Sequence, residues 1–209
     1  SDFMTVCYDQ IINQAAKIVS FMDSDDAVDI LEQMEASAKE KIVTLLDAGS
    51  SHDIRLILSY DEDEIGSMMT TNFVAIRKDL SIRQAMRELV TQAGENDNIS
   101  TVYVVDDADK FYGAIDLKDL IIARETDELN GIISTSYPYV TDHEKIDNCI
   151  ETIKDYAEDS LPVLTDNGKL IGILTAQDIV EAVDDELGED YAKLAGLTAE
   201  EDLKEPLKE

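Results

Sequence analysis

VYVVDDADKFYGAIDLKDLIIA, residues 102–123, lies on LPVLTDNGKLIGILTAQDIVEA, residues 161–182, without a gap. Gly113 falls on Gly172, Asp119 on Asp178 and Lys110 on Lys169, a constant offset of 59. Upstream, MMTTNFVAIRKDLSIRQAM (68–86) lies on IISTSYPYVTDHEKIDNCI (132–150) at an offset of 64. The difference is absorbed near the polar stretch TQAGENDNI (91–99), which has the composition of a loop. The chain therefore carries an internal duplication of about sixty residues. Each copy reads as a short strand, a helix, an apolar strand, a tight turn, another strand and a closing helix. Asn167-Gly168 between apolar runs is a strong hairpin signal. Two such units are expected to be half-domains packed face to face.

Before about residue 66 the pattern is helical. In CYDQIINQAAKIVSFM (7–22), Ile11, Ile12, Ala15, Ile18, Val19 and Met22 recur with a 3.6-residue period. SDDAVDILEQM (24–34) predicts a second helix, with Ser24 as N-cap and Asp25 and Asp26 in its first turn. KEKIVTLLDAG (39–49) predicts a third, ended by Gly49 at C′, and a fourth follows from Ser50 or Ser51. The expected fold is α+β: a small all-helical domain at 1–64, repeats at 65–125 and 126–187, and a connecting helix and tail at 188–209.

Seventeen Lys and Arg stand against 47 Asp and Glu, a formal charge of −30. Such a chain repels nucleic acid and anionic membrane surfaces, so no nucleic-acid partner is expected. No apolar run is long enough to cross a bilayer. Cys7 and Cys149 form no CxxC pair, and with only His52 and His143 beside them they read as reduced core residues rather than zinc ligands. Nine scattered glycines form neither a P-loop nor GxGxxG, and no nucleophile–base pair stands out, so no enzyme is expected. DEDEIG (61–66) starts like a calcium loop, but Asn72 stands where the bidentate Glu belongs.

The acid concentrates in AQDIVEAVDDELGEDYAKLAG (176–196). At 100° per residue, Asp178, Glu181, Asp185 and Glu189 form one stripe, flanked by Glu186 and Asp190. Ile179, Val180, Val183 and Leu187 form another, expected to pack on the core. Like charges at this spacing cost a few tenths of a kcal/mol per pair. Two readings stand: a solvated face, or a surface for a hard cation such as Mg²⁺, which takes oxygen ligands and keeps several waters.

Gly172-Ile-Leu-Thr175-Ala-Gln-Asp178 resembles the strand–helix junction of a CBS domain. Its duplicate, Gly113-Ala-Ile-Asp116-Leu-Lys-Asp119, places Asp where Ser or Thr is usual. YDEDEIGSMMTTNFVAI (60–76) and DDELGEDYAKLAGL (184–197) resemble the two junctions of the cytosolic part of the MgtE family of Mg²⁺ channels. The likeness runs from about residue 22 to 200. It implies a helical N domain, shorter than the family's, then a tandem CBS pair and a plug helix. The plug helix would lead toward a membrane pore absent from this chain. The chain would then be the soluble, cytoplasmic-side piece of a membrane protein, homodimeric through its CBS domains.

The same resemblance assigns Mg²⁺ to Asp25, Asp29, Asp147, Asp178, Glu181, Glu186, Glu189 and Asp190, with a backbone carbonyl around Ser67. Asp25 and Asp29 are i and i+4, hence on one helix face. Lys145 and Ala157 depart from the family, standing where it places carboxylates. The implied mechanism is electrostatic: without Mg²⁺ the facing carboxylates repel, and with it they are bridged into a compact, closed state. The competing expectation is an adenine-nucleotide sensor binding ATP or AMP between the repeats through Lys118, Asp119 and Thr175.

Overall fold

The computed structural model describes residues 3–149 and 159–182. Four helices come first: α1 (Phe3–Val19), α2 (Ser24–Glu32), α3 (Ala36–Leu45) and α4 (Ala48–Ile57). The α1 periodicity buries Ile12, Ala16 and Val19 and packs α1 on α3, while α2 packs on α4. Two caps differ from expectation. Asp23, not Ser24, is the N-cap of α2, because the Ser24 hydroxyl is engaged 2.9 Å from that of Thr71. Gly49 lies in the first turn of α4 instead of closing α3: Asp47 accepts from the amides of Gly49 and Ser50 and starts the helix there.

The duplication then appears as two three-stranded sheets of identical topology. In the first, β1 (Val74–Arg77) pairs parallel with β2 (Thr101–Val105), which pairs antiparallel with β3 (Phe111–Asp116). In the second, β4 (Val140–Thr141), β5 (Ser160–Leu164) and β6 (Leu170–Thr175) repeat the order. Both central strands are buried along their whole length. A bulge falls at Val104/Val105 and again at Val163/Leu164. The helices α5 (Ile82–Gln92) and α6 (Leu117–Ile122) complete the first repeat. In the second, α7 begins at 146, with 146–149 described, and α8 covers 176–182.

The bridges between the repeats pair equivalent positions, as a pseudo-two-fold relation requires. Thr70 bridges Ile173, and the equivalent pair, Ser134 and Ala114, bridges in the same antiparallel sense. Lys110 and Lys169, equivalent to one another, bridge at the axis. Each repeat thus completes its outer strand with a segment that precedes the other. The glycines at equivalent positions explain themselves: a Cβ on Gly113 would lie 2.5 Å from the Ser134 carbonyl oxygen, and one on Gly172 2.6 Å from Met69 Sδ. The hairpin turns match too, with Gly168 at φ 78° and its equivalent Asp109 at φ 60°.

The helical domain shares its core with the second repeat. Leu31, Ile42 and Ile57 join Leu161, Val163, Leu174 and Cys149 in one cluster, linked by Ile65 and Met69. The first repeat keeps a core of its own around Val102, Val104, Ile115 and Leu120. Shared burial therefore docks the helical domain on one half of a near-symmetric pair.

Candidate functional site

Between α2, the 61–70 junction and the second repeat lies a cleft of about 1000 Å³. Among the described residues, eleven of its lining side chains are Asp or Glu, and none is Lys, Arg or His. From α2 come Asp25, Asp29 and Glu32, at i, i+4 and i+7 on one face; from the second repeat come Asp147, Asp159, Asp178 and Glu181. The structure thus gathers six of the predicted residues in one place: Asp25, Asp29, Ser67, Asp147, Asp178 and Glu181. Glu186, Glu189 and Asp190 lie outside the described residues, as does Ala157.

Asp178 has two attachments. Its carboxylate accepts from the Thr175 amide at 2.6 Å, while its own amide donates to Thr175 Oγ1 at 3.3 Å. This is a reciprocal capping box at the start of α8, and it gives Thr-x-x-Asp a local meaning. In the first repeat Asp116 caps α6 alone, accepting from the Lys118 amide at 2.7 Å. Beyond the cap, Asp178 is pressed against acid. Burial pushes its carboxyl up to about 6; the Thr175 hydrogen bonds oppose the rise, and Asp25 and Glu181 add to it.

Asp25 answers from α2. Burial raises its carboxyl, the Thr70 hydroxyl offsets part of that, and Asp26 and Asp23 add to it. Among the described residues its buried Oδ1 has no hydrogen-bond partner, an arrangement that costs free energy unless another group satisfies it. Asp29 is raised by burial first, then by Asp25, Asp26, Glu32 and Glu181. The cleft is therefore two acidic walls with unmet demand for positive charge.

Hard, anionic oxygen donors of this kind fit Mg²⁺. Among the described residues no three acidic, His or Cys side chains converge tightly enough to hold a bare metal ion. Ser67 lines the cleft, but its hydroxyl is turned onto the Glu64 carbonyl at 2.8 Å.

The cleft's remaining acids were not legible as a set. Glu32 continues the α2 face three residues past Asp29, a signal the sequence does carry. Asp63 and Glu62 come from a junction whose position depends on tertiary packing. Lys145 sits at the rim, its Nζ 2.7 Å from Asp63 Oδ1 and 3.9 Å from Glu64 Oε1. His143 Nδ1 lies 3.1 Å from Glu64 Oε1, and that carboxylate raises the imidazole above its ordinary value. Val180, expected in the core with Ile179, is 58% exposed, as is its equivalent Ile121 at 59%; of the stripe's described residues Ile179 packs inward, and Val183 and Leu187 lie outside the described residues. Cys149 is a core thiol pushed up to about 12 by burial, whereas Cys7 is half-buried. Of the predicted nucleotide residues, Thr175 lines the acidic cleft, while Lys118 and Asp119 are exposed on α6 outside it.

The sequence matches the MgtE intracellular N domain over residues 12–63 and the CBS domain over 65–126 and 129–185. A magnesium transporter MgtE of Enterococcus faecalis is 35% identical over 156 residues, which cover 75% of this chain and 34% of that protein. The crystal structure of the soluble part of a magnesium transporter aligns at 33% identity and TM-score 0.78, covering 84% of this chain and 68% of the other. The cytosolic domain of the Mg²⁺ channel MgtE, solved in complex with ATP, aligns at 27% identity and TM-score 0.74 over 80% of this chain and 68% of the other. The chain thus spans about a third of the length of the Enterococcus relative. With helical domain, duplicated repeat and junctions all accounted for, this chain belongs to the MgtE family, comprising its intracellular N domain and tandem CBS pair.

Proposed function

We propose that this chain is the cytosolic Mg²⁺-sensing region of a Mg²⁺ transporter or channel, and that the acidic cleft is its sensor. Hydrated Mg²⁺ sits between the α2 wall, Asp25 and Asp29, and the CBS2 wall, Asp147, Asp178 and Glu181, with the Ser67 backbone at the floor. Glu186, Glu189 and Asp190, which lie outside the described residues, are further proposed Mg²⁺ ligands. Without the ion, like charges across the cleft favour separation of the N domain from CBS2. With it, the compact arrangement gains by the difference in cation affinity between the two states. Several weak sites acting together make the response steep. The chain's role is regulatory rather than catalytic, exercised on the cytosolic side of a membrane and in a homodimer formed through the CBS domains.

The observation that carries this reading is the buried, unpartnered oxygen of Asp25 in a cleft where Asp178 is also held well above the usual carboxylate range. A protein with no cation to bind gains nothing from that arrangement. The test is small-angle scattering across a Mg²⁺ titration at fixed ionic strength, with K⁺ as control. Divalent-specific compaction that Asp25→Asn/Asp178→Asn abolishes is the expected result; a radius indifferent to Mg²⁺ refutes it.

A second ligand is favoured by the ATP complex of the relative at 27% identity. We propose adenine nucleotide as a modulator bound between the CBS repeats through Lys118, Asp119 and Thr175. Calorimetry with ATP and AMP distinguishes this from the main reading, because such binding survives Asp25→Asn/Asp178→Asn. Absence of any saturable heat removes it.

A further inference from the structure

The two walls of the cleft are not held alike. At the α2–α8 wall, acid faces acid, with no base among the described lining side chains. At the opposite rim the N domain is stitched to CBS2 without any metal. Ile65 and Gly66 donate their amides to the carbonyls of Glu144 and Asp142 at 2.9 and 2.8 Å, and Ile146 donates to Asp63 at 2.9 Å. The Tyr60 hydroxyl donates to Asp142 Oδ2 at 2.9 Å. Into this seam Lys145 brings a permanent positive charge. Its ammonium lies 2.7 Å from Asp63 and 3.9 Å from Glu64, two acids that arrive from the N-domain side, and Asp63 is itself part of the cleft lining.

We propose that Lys145 is a built-in counter-cation that neutralises one edge of the cleft. It thereby lowers the Mg²⁺ concentration needed to close the other edge. The proposal rests on the reading of the cleft as a Mg²⁺-bridged surface and adds a regulator of its threshold. The physical basis is that a tethered ammonium does not exchange with solvent ions. Whatever repulsion it cancels between the N-domain end and CBS2 is cancelled at every Mg²⁺ concentration. Remove it, and Asp63 joins the charge that Mg²⁺ must bridge. The side chains of Lys145 and Asp63 are 41% and 67% exposed, so the effect has the scale of a solvent-screened pair.

The experiment is the same scattering titration, run on wild type, Lys145→Met, Lys145→Arg, Asp63→Asn and the Asp63→Asn/Lys145→Met double variant. Met keeps the aliphatic stem and removes the charge. Lys145→Met is expected to raise the Mg²⁺ midpoint of compaction about two- to five-fold, the range an exposed ion pair spans. Lys145→Arg keeps the wild-type midpoint, and the Lys145→Met shift shrinks toward none when Asp63 is already Asn, since the partner is gone. Arg55→Met, which breaks the exposed Arg55–Glu40 pair within the N domain, leaves the midpoint in place. Far-UV dichroism confirms that each variant is folded. If wild type compacts with Mg²⁺ and Lys145→Met does so at the same midpoint, this inference falls and the cleft reading stands. An equal shift in the Asp63→Asn background also overturns it. If wild type does not respond to Mg²⁺, both fall together.

Discussion

Replacing Asp178 with Asn separates the two roles this residue combines, because they predict opposite changes in stability. As a helix cap, Asp178 stabilises α8; as a carboxylate buried in the cleft, with Asp25 and Glu181 near it, it destabilises the metal-free protein. Its carboxyl rises from an ordinary 3.8 to about 6, and each unit corresponds to about 1.4 kcal/mol. Ionised Asp178 therefore costs the metal-free fold roughly 3 kcal/mol near neutral pH. Asn retains an oxygen for the Thr175 amide but loses the charge that favours a helix N-terminus, worth about 0.5 kcal/mol. The net expectation for Asp178→Asn without metal is a gain of about 2 kcal/mol, or a melting temperature higher by about 4–8 °C for a chain of this size. Saturating Mg²⁺ then adds less to the variant than to wild type, since one of the groups it bridges is neutral. Thermal unfolding at pH 7.5, with Mg²⁺ and with K⁺ at matched ionic strength, reads both quantities. A variant less stable than wild type without metal, with an undiminished Mg²⁺ increment, would show that Asp178 is only a cap.

Asp25→Asn is expected to act in the same direction, and its effect and that of Asp178→Asn are expected to fall short of additive, because Asp25 adds to the penalty on Asp178; full additivity in a double-mutant cycle would place them in separate environments. The pH dependence follows from signs. An acid raised by folding binds its proton more tightly in the native state, so metal-free stability falls as pH rises from about 4 to about 6 and then levels off. Lowered acids such as Asp63 and Asp47 contribute stability that disappears at lower pH, as they protonate. A metal-free optimum near pH 4–5 that Mg²⁺ moves upward is the expected profile; an optimum at neutral pH in both conditions would contradict it. Gly113→Ala is expected to cost about 2–3 kcal/mol, since its Cβ meets the backbone carbonyl of Ser134 in the bridge between repeats; Gly172→Ala, which meets the movable Met69 thioether, is expected to cost about 1 kcal/mol. Chemical denaturation of both checks the order, and a reversed ranking would show that the two crossings are not equivalent.

The duplication was fully legible because a repeated strand–turn–strand–helix leaves repeated glycines at a fixed offset. The pairing of the repeats was not: the offsets make Thr70 equivalent to Ser134 and Ala114 to Ile173, but only the fold shows that Thr70 bridges Ile173 and Ser134 bridges Ala114. The helical N-terminus was legible from period, but its caps were not. Ser24 looked like a cap until Thr71, 47 positions later, claimed its hydroxyl, and Asp47 overruled Gly49. Asp25 and Asp178 were named beforehand, Asp25 from the resemblance and Asp178 from the stripe as well. Asp63 and the Lys145 pairing were missed, because their meeting depends on Ile65 and Met69 seating the junction in a shared core, which no local pattern announces. Val180 was misplaced by a wheel argument that treats a helix as having one buried side; here the equivalent positions of both repeats point outward.

The two repeats differ in charge at the equivalents of the cleft-lining positions. Asp147 has Arg83 as its equivalent in the first repeat, Glu181 has Ile122, and Thr175 has Asp116; of the key pair positions only Asp178 keeps its acid, as Asp119. The duplicated scaffold therefore presents one strongly acidic face and one mixed face at related positions. The N domain is itself acidic along Asp25, Asp29 and Glu32. Electrostatics alone would send it to the mixed face of the first repeat, where Arg83 and Lys118 are exposed. It is found instead on the acidic one, held by the apolar core that Leu31, Ile57, Ile65 and Met69 share with Leu161 and Leu174. Apolar burial thus holds the N domain against its own charge, and that opposition makes closure dependent on a cation. A docking that was favourable in both terms would stay shut at any Mg²⁺ concentration, and one unfavourable in both would never close. A balance of the two leaves a difference small enough for a few weakly held, hydrated ions to decide.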